Sequence, residues 1–288
     1  MLCAAAYLTL SQQGAALRAP SRSIAKRQAS ASKSTDKSKY FFNKNKKSNA
    51  EVISEVPVAR TSSFSAMWAG QVDSLPNIEP HTLILGTHPS TTSLKQQQYY
   101  AHPVNAFWWI AGDCLGFRRD TGISPSSGQP YALAKSLRYE NVLPYEEQMN
   151  LLLANGFCLW DVVHSCERKG SLDQNIRNEV VNPIREFCDE HPSIQRVVLA
   201  NGSTTASLFK KYFKDWLTSG VFKAGEDEFS QRAFGKSVLP EPLLRETEPR
   251  IIIISAISVS PAAAKFTYEQ KRDFWQVNVY QPGLADRR

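Results

Sequence analysis

Four short apolar runs limit what this chain can fold into: HTLILGT (81–87), FCLWDVV (157–163), QRVVLANG (195–202) and RIIIISAIS (250–258). Each is a strand signal, and between them lie stretches that read as helices. PYEEQMNLLLANG (144–156) ends on Gly156, and NPIREFCDEHP (182–192) has Pro183 near its first turn. STTASLFKKYF (203–213) is expected to be capped by Ser203 or Thr204, and TYEQKRDFW (267–275) is the closing helix. Short apolar runs alternating with amphipathic helices predict a parallel sheet covered by helices. Such sheets bind ligands at the carboxyl ends of their strands. Chemistry is therefore sought in four segments: GTHPSTTSLKQQQYYAHPVNAFWW, HSCERKGSLDQNIRN, NGSTTA and VSPAAAK, the last expected to open a helix.

Composition sets the outer bounds. The chain has 288 residues, of which 42% are apolar, enough for one sizeable domain and a tail. No apolar run approaches the roughly 18 residues needed to span a membrane. The formal net charge is +7, but the first 50 residues hold ten Lys/Arg against one acid, Asp36. The remainder carries 24 basic and 26 acidic residues, so any positive field on the folded part has to be local. Residues 1–60 are read as a disordered basic Ser/Ala-rich tail and 61–288 as the domain. The tail reads as an organelle transit segment (mitochondrion or plastid), a nuclear or DNA-tethering arm, or a plain solvated extension. Its KSKYFFNKNKK stretch offers Tyr40, Phe41 and Phe42 to a protein partner's groove, or is a chance cluster. The five cysteines (Cys3, Cys114, Cys158, Cys166, Cys188) form no C-x-x-C pair, and the five histidines show no ligand spacing. An intracellular protein with reduced thiols and no metal is expected. No G-x-G-x-x-G, P-loop or nucleophile elbow appears, so no nucleotide cofactor is expected.

The segment YYAHPVNAFWWIAG (99–112) puts a polar break among large rings. Asn105 lies just behind Pro103, at the entrance of the helix bearing Phe107, Trp108 and Trp109. Taken alone, Asn105 is as well suited to capping that helix as to chemistry.

Four separated blocks carry a resemblance. LILGTHPSTTSLKQQQYYAHPVNAFW, GFCLWDVVHSCERKGSLDQNI, VVLANGSTTASLF and SVSPAAAKFTYEQKRDFW resemble, in the same order, the hypoxanthine-DNA glycosylase family of the uracil-DNA glycosylase superfamily. The similarity runs from about residue 80 to 277. It implies a three-layer α/β sandwich with a central four-stranded parallel sheet, uracil-DNA glycosylase-like. It also implies a DNA repair enzyme that flips a deaminated base (hypoxanthine first, uracil second) into a pocket and hydrolyses its N-glycosidic bond with a positioned water. The implied partner is DNA containing such bases, bound by a monomer.

The resemblance nominates residues one at a time. Asn105 matches the asparagine of the HPxN motif and is expected to position the water or contact the base, with capping as a compatible role. Tyr100 is expected to stack on the flipped base, unless it is a core ring like Phe107 and Trp108. Gly86, Thr87, His88 and Pro89 form the loop expected around base and water. His88 stands where the mismatch-specific relatives carry a catalytic asparagine, and holds a water, touches O6 of hypoxanthine, or faces solvent as a loop histidine. His102 is a site candidate or a turn histidine. Ser260, Pro261 and Ala262 match the second motif and are expected to grip phosphate through backbone N–H groups at a helix start, with Lys265 adding a contact. The superfamily's uracil enzymes carry a histidine in that motif and this chain does not. Past the second strand, Asp161, His164, Ser165, Glu167 and Arg168 read either as a cap with surface charges or, for Arg168 and Lys169, as phosphate contacts; Ser171 adds a candidate backbone nest. No lysine stands as a Schiff-base nucleophile, which predicts a monofunctional glycosylase. Three rivals remain open: a mismatch-directed uracil/thymine DNA glycosylase, a DNA-damage-binding module with weakened catalysis, and a small-molecule-binding α/β protein.

Overall fold

The computed structural model describes residues 58–117, 143–238 and 250–286. The basic segment 1–57, with its expected targeting or tethering roles, lies outside them.

The four apolar runs are strands: β2 (Thr82–Gly86), β3 (Phe157–Asp161), β6 (Arg196–Leu199) and β8 (Ile251–Ser255). A short strand, β7 (Phe222–Ala224), extends the sheet to five in the order β3-β2-β6-β8-β7, with every pairing parallel. The expected four-stranded sheet is corrected to five among the described residues. Only three residues of β7 pair, too few to give an apolar run, so its place is set by β8 rather than by its own pattern.

Side chains alternate across this sheet. Leu83, Leu85, Cys158, Trp160, Val197, Leu199, Ile251 and Ile253 face one core. Ile84, Phe157, Leu159, Val198 and Ile254 face the other. Helices α4 (Ile184–Glu190), α5 (Ser203–Tyr212), α6 (Lys214–Leu217) and α7 (Glu228–Phe234) fill the first side through Phe187, Phe209, Trp216 and Phe234. Helices α2 (Phe107–Leu115), α3 (Tyr145–Ala154) and α8 (Tyr268–Trp275) fill the second through Phe107, Leu152 and Trp275. A π-helical turn (Gln276–Tyr280) leads from α8 into α9 (Gln281–Ala285). This is the expected three-layer α/β sandwich.

In the sequence the segment after β3 reads as a helix cap with surface charges or as a set of phosphate contacts, with no strand in it. It instead holds β4 (Val163–Arg168) and β5 (Ile176–Val181), which join β1 (Arg60–Ser62) in an antiparallel sheet of order β1-β4-β5. The register of β4 with β5 slips twice, which breaks the alternation a sequence reading relies on. Two cap expectations are also corrected. Helix α5 follows Gly202, in a left-handed-side conformation (φ +57), and has no side-chain cap at its N-cap position. VSPAAAK does not open a helix: residues 260–266 form turns, and α8 begins only after Thr267, whose side chain and that of Gln270 close a capping box.

Candidate active site

A cavity of about 490 Å³ opens beyond the carboxyl ends of the parallel strands, lined by Gly86 from β2, Asp161 from β3, Asn201 after β6 and Ser258 and Ser260 after β8. Its size lies within the range of about 300–1,000 Å³ usual for small-molecule sites.

Its floor is a pair of register partners, Gly86 and Asp161. A Cβ on Gly86 would lie 2.3 Å from Asp161 Oδ1 and 3.3 Å from the Tyr100 hydroxyl, so only glycine lets these two polar groups approach the same point. Asp161 is 3% exposed and its Oδ2 has no hydrogen-bond partner among the described residues. Burial, reinforced by the nearby Asp173 and opposed by Arg168, pushes its carboxyl up to about 8. Burial thus favours the neutral form of Asp161, in which it can donate as well as accept a hydrogen bond. The sequence reading left it among surface charges and caps. A carboxyl closing an otherwise apolar parallel strand was the available signal.

Tyr100 forms part of the wall. Its ring stacks on Phe107 at 4.1 Å between centroids, nearly coplanar at 19°. Its backbone is left-handed (φ 54), a conformation that costs a tyrosine of order 1–3 kcal/mol and persists only where neighbours over-determine it. Those neighbours are present. The Tyr99 N–H donates to Tyr145 Oη (3.0 Å), Trp108 Nε1 donates to the Tyr99 carbonyl (2.8 Å), and the Ala101 N–H donates to Ser93 Oγ (3.2 Å). The Tyr100 hydroxyl is buried without a partner among the described residues, and burial followed by the Asp161 charge holds its ionisation well above the usual tyrosine value.

Asn105 reaches the cavity from the entrance of α2. Its Oδ1 accepts the Phe107 N–H (2.9 Å), its own N–H donates to the His102 carbonyl (2.8 Å), and the next N–H, of Ala106, donates to the Val259 carbonyl (3.0 Å). Because a backbone N–H demands an acceptor, the amide is oriented, and Nδ2 is the group left for the cavity. Capping and presentation to the cavity thus coexist. The anchors below, Phe107 (0% exposed) and Trp108 (7%), are core rings as expected.

Arg168 corrects an expectation. Its side chain is 2% exposed, so it does not offer itself to a phosphate. The guanidinium donates to the Pro89 carbonyl and to the His88 carbonyl (3.5 Å), and pairs with Asp173 Oδ1 at 3.5 Å. It ties the 86–91 loop to the segment after β4. His88 is corrected likewise: Nε2 meets Thr61 Oγ1 (3.0 Å) and Nδ1 meets the Val163 carbonyl (3.2 Å), so neither nitrogen remains to hold a water. Burial lowers its pKa to about 4, which keeps the ring neutral. With the ring neutral, Nδ1–H donates to the carbonyl and Nε2 accepts from Thr61. Thr87 is buried, bonded to Thr205 Oγ1 (2.8 Å) and accepting from Asn201 Nδ2 (3.2 Å).

Ser260, Pro261 and Ala262 line the opposite rim, as does the exposed His102, whose Nδ1 accepts the Val104 N–H at 3.4 Å. The buried Lys271 ammonium donates to the Ser260 carbonyl (3.0 Å) and holds this turn to α8. Lys265 is not on the cavity. It belongs to an adjacent concavity of about 440 Å³ shared with Lys210, Arg232, Phe229 and Phe266. Among the described residues, no group of three or more His, Cys, Asp or Glu is placed to hold a metal ion.

The sequence is 32% identical over 129 residues to the hypoxanthine DNA glycosylase of Methanosarcina barkeri, a match covering 44% of this chain and 68% of that protein. The chain belongs to the hypoxanthine DNA glycosylase family. The hypoxanthine DNA glycosylase of Methanosarcina acetivorans is 31% identical over 122 residues, 42% of this chain and 62% of that protein. A solution NMR structure of a protein assigned as a uracil DNA glycosylase from M. acetivorans superposes with a TM-score of 0.47 at 22% identity, over 78% of this chain and 99% of the other. No family model matches the sequence.

As a member of the hypoxanthine DNA glycosylase family, the protein is a DNA glycosylase by class, a hydrolase of N-glycosyl bonds. Of the residues nominated from the sequence, Gly86, Thr87, His88, Pro89, Tyr100, His102, Asn105, Ser260, Pro261 and Ala262 converge on one cavity. Lys265 lies on the neighbouring concavity and Arg168 behind the loop. Asp161, Asp173 and Asn201 are among the further lining residues and had not been singled out as site residues.

Proposed function

We propose that the protein removes hypoxanthine from DNA by hydrolysis of the bond between base N9 and sugar C1′, acting on a nucleotide rotated out of the duplex. The observation that carries this reading is Asp161, a buried carboxyl whose Oδ2 has no partner among the described residues, at the floor of a base-sized cavity beside a stacking ring and with burial favouring its neutral form.

The Tyr100 ring, backed by Phe107, offers its other face to the base; stacking of this kind contributes about 1–3 kcal/mol per base. The neutral Asp161 carboxyl pairs with the lactam edge, its O–H donating to O6 and its carbonyl oxygen accepting N1–H. As the glycosidic bond lengthens, the electron pair moves onto the purine, and the donated hydrogen bond strengthens as negative charge builds on O6. An ionised carboxylate there would repel O6. This supplies the leaving-group stabilisation for which the second motif has no histidine. Asn105 Nδ2 orients the water that adds through oxygen to C1′; the water's proton passes to the departing base or to solvent. Among the described residues no lysine lines the cavity, and the reading is a monofunctional reaction that leaves an abasic site and an unbroken strand.

Uracil presents the same lactam edge through O4 and N3–H, so weaker uracil excision is the second reading, favoured by the same Asp161 geometry. A labelled-duplex assay on inosine and uracil substrates, with Asn105→Ala beside wild type, tests both. Inosine cleavage exceeding uracil cleavage, with loss in the variant, supports the proposal. Preferred excision of uracil or thymine from mismatches would replace it with the mismatch-directed alternative. Binding without release of any base would leave a damage-binding module.

A further inference from the structure

Beside the cavity lies the second concavity of about 440 Å³, lined by residues of α5 and α7 and of the segment that ends β8. The two share Asn201, Ser203, Ser258 and Ala263, so they are neighbours along one crevice. Their charges are opposite in kind. Asp161 and Asp173 line the cavity, and among the described residues no Lys or Arg does. Lys210, Arg232 and Lys265 line the concavity, and among the described residues no Asp or Glu does. Beyond residue 50 the acids outnumber the bases by 26 to 24, so three cations on one concave wall are a local positive field. Lys210 Nζ donates to the Ala233 carbonyl (3.1 Å), which holds it between the two helices. Lys265 is exposed, with Nζ 5.5 Å from the centre of the Phe266 ring. Arg232 pairs with Glu228 one turn earlier and is partly neutralised there. The start of α5 adds to the field, because no side chain caps it. Gly202, whose Cβ would lie 3.2 Å from the Ala256 carbonyl, brings that helix start close against the end of β8. The remaining wall is aromatic: Phe229 and Phe266 are half-buried and meet edge to face, 5.7 Å between centroids at 77°.

Cations and aromatic rings side by side in a groove are what an unpaired strand needs, since phosphates meet the cations and unstacked bases meet the rings. We infer that this concavity is a second nucleotide site, which takes the unpaired neighbour of the extruded nucleotide. Its base lies against Phe266 and Phe229, and its phosphate against Lys265 and Lys210. The inference rests on the proposed glycosylase reading and adds a substrate class to it: DNA unpaired at two successive nucleotides, as in single strands and loops. A paired neighbour keeps its base in the duplex stack and leaves the rings uncovered.

The test uses the full chain and single-stranded oligonucleotides with one inosine, in which the neighbour on either side is intact or lacks its base. Wild type is expected to show a KM about tenfold higher when the base is missing on one of the two sides. Phe266→Ala is expected to raise KM by a similar factor on the intact strand and to show no further rise when the neighbour's base is removed, because ring and base act on each other. Lys265→Gln should reduce the salt slope of strand binding by about 0.7. Fluorescence anisotropy of the same strands reads the coupling without excision, and the wild-type comparison decides even if Phe266→Ala fails to fold. Indifference of wild type to the missing base on both sides, or an equal further rise in Phe266→Ala, would overturn the second site while leaving the glycosylase reading standing. Saturable binding of free deoxyadenosine monophosphate that is lost in Phe266→Ala, without any effect of the neighbour's base, would give the concavity to a free nucleotide and overturn the strand assignment. A wild type that releases hypoxanthine from no strand would remove the glycosylase reading, and the coupling seen by anisotropy would still decide the nucleotide site.

Discussion

Gly86 and Asp161 face each other at the ends of adjacent parallel strands, and a single methyl group on Gly86 would lie 2.3 Å from the Asp161 carboxyl. The sheet register thus forces the floor of the cavity to be both polar and crowded. Gly86→Ala is expected to push the carboxyl aside and to lower inosine excision by roughly 10²-fold, the usual cost of a displacement near 1 Å in a reactive arrangement. Binding of undamaged duplex should be unchanged. Retention of full activity in a folded Gly86→Ala protein would show that the position of Asp161 does not matter.

The state of Asp161 gives opposite signs for its two conceivable roles. As a neutral donor, its contribution falls as pH rises through about 8; as an ionised base, it would rise over the same interval. Asparagine preserves a donor and an acceptor, so Asp161→Asn is expected to keep activity within about tenfold and to lose the alkaline decline near pH 8, whereas Asp161→Ala is expected to lose about 10²–10³-fold. Stability follows the same protonation. The folded carboxyl holds its proton up to about 8 and the unfolded one releases it near 3.8, so the native state binds more protons between those values and stability declines there as pH rises. The slope is at most about 1.4 kcal/mol per pH unit. Thermal melts of Asp161→Asn should therefore gain over wild type as pH rises from about 4, with the gain levelling off above about 8.

Asn105 is expected to show two separable losses. Asn105→Ala removes the acceptor for the Phe107 N–H and should lower stability by about 0.5–2 kcal/mol, read from urea unfolding. It should also lower kcat by about 10²–10³-fold with little change in KM, as for other transition-state contacts. Asn105→Ser keeps a capping oxygen and should recover the stability but not the rate. Recovery of both would reduce Asn105 to a cap.

Arg168 distinguishes a clamp from a phosphate contact. A side chain that neutralised a phosphate would reduce the salt slope of DNA binding by about one when removed. Because Arg168 is buried against two carbonyls and Asp173, Arg168→Met is expected to leave the slope unchanged and to destabilise the fold by about 3–5 kcal/mol, since the half-buried Asp173 charge and the carbonyls lose their donor. Arg168→Lys should recover little, because an ammonium cannot span both carbonyls as the planar fork does.

What could be read from the sequence follows from the range of the forces involved. The strands β2, β3, β6 and β8 were legible because burial on both faces writes itself as an apolar run. The convergence of Asn105, Tyr100 and the Gly86–Pro89 loop was legible from the rule that places ligands at strand ends, together with the family resemblance. Strand β7 was not, because three residues borrow their conformation from β8. The fates of Arg168, His88 and Asp161 were not legible either. Whether a charged side chain near a strand end faces water or the interior depends on partners such as Pro89, Thr61 and Gly86 that lie far away in the chain. Local pattern carries no trace of such pairings.

The cavity draws its wall from every part of the described fold: Gly86 and Asn105 early, Asp161 and Asp173 in the middle, Asn201 later and Ser260 near the end. Gly86 and Asp161 close β2 and β3, Asn201 and Ser260 follow β6 and β8, Asn105 stands at the entrance of α2 and Asp173 lies between β4 and β5. A chain ending before residue 260 would lack the Ser260, Pro261 and Ala262 part of this lining. The cavity is therefore complete only when segments from Gly86 through Ser260 are all in place.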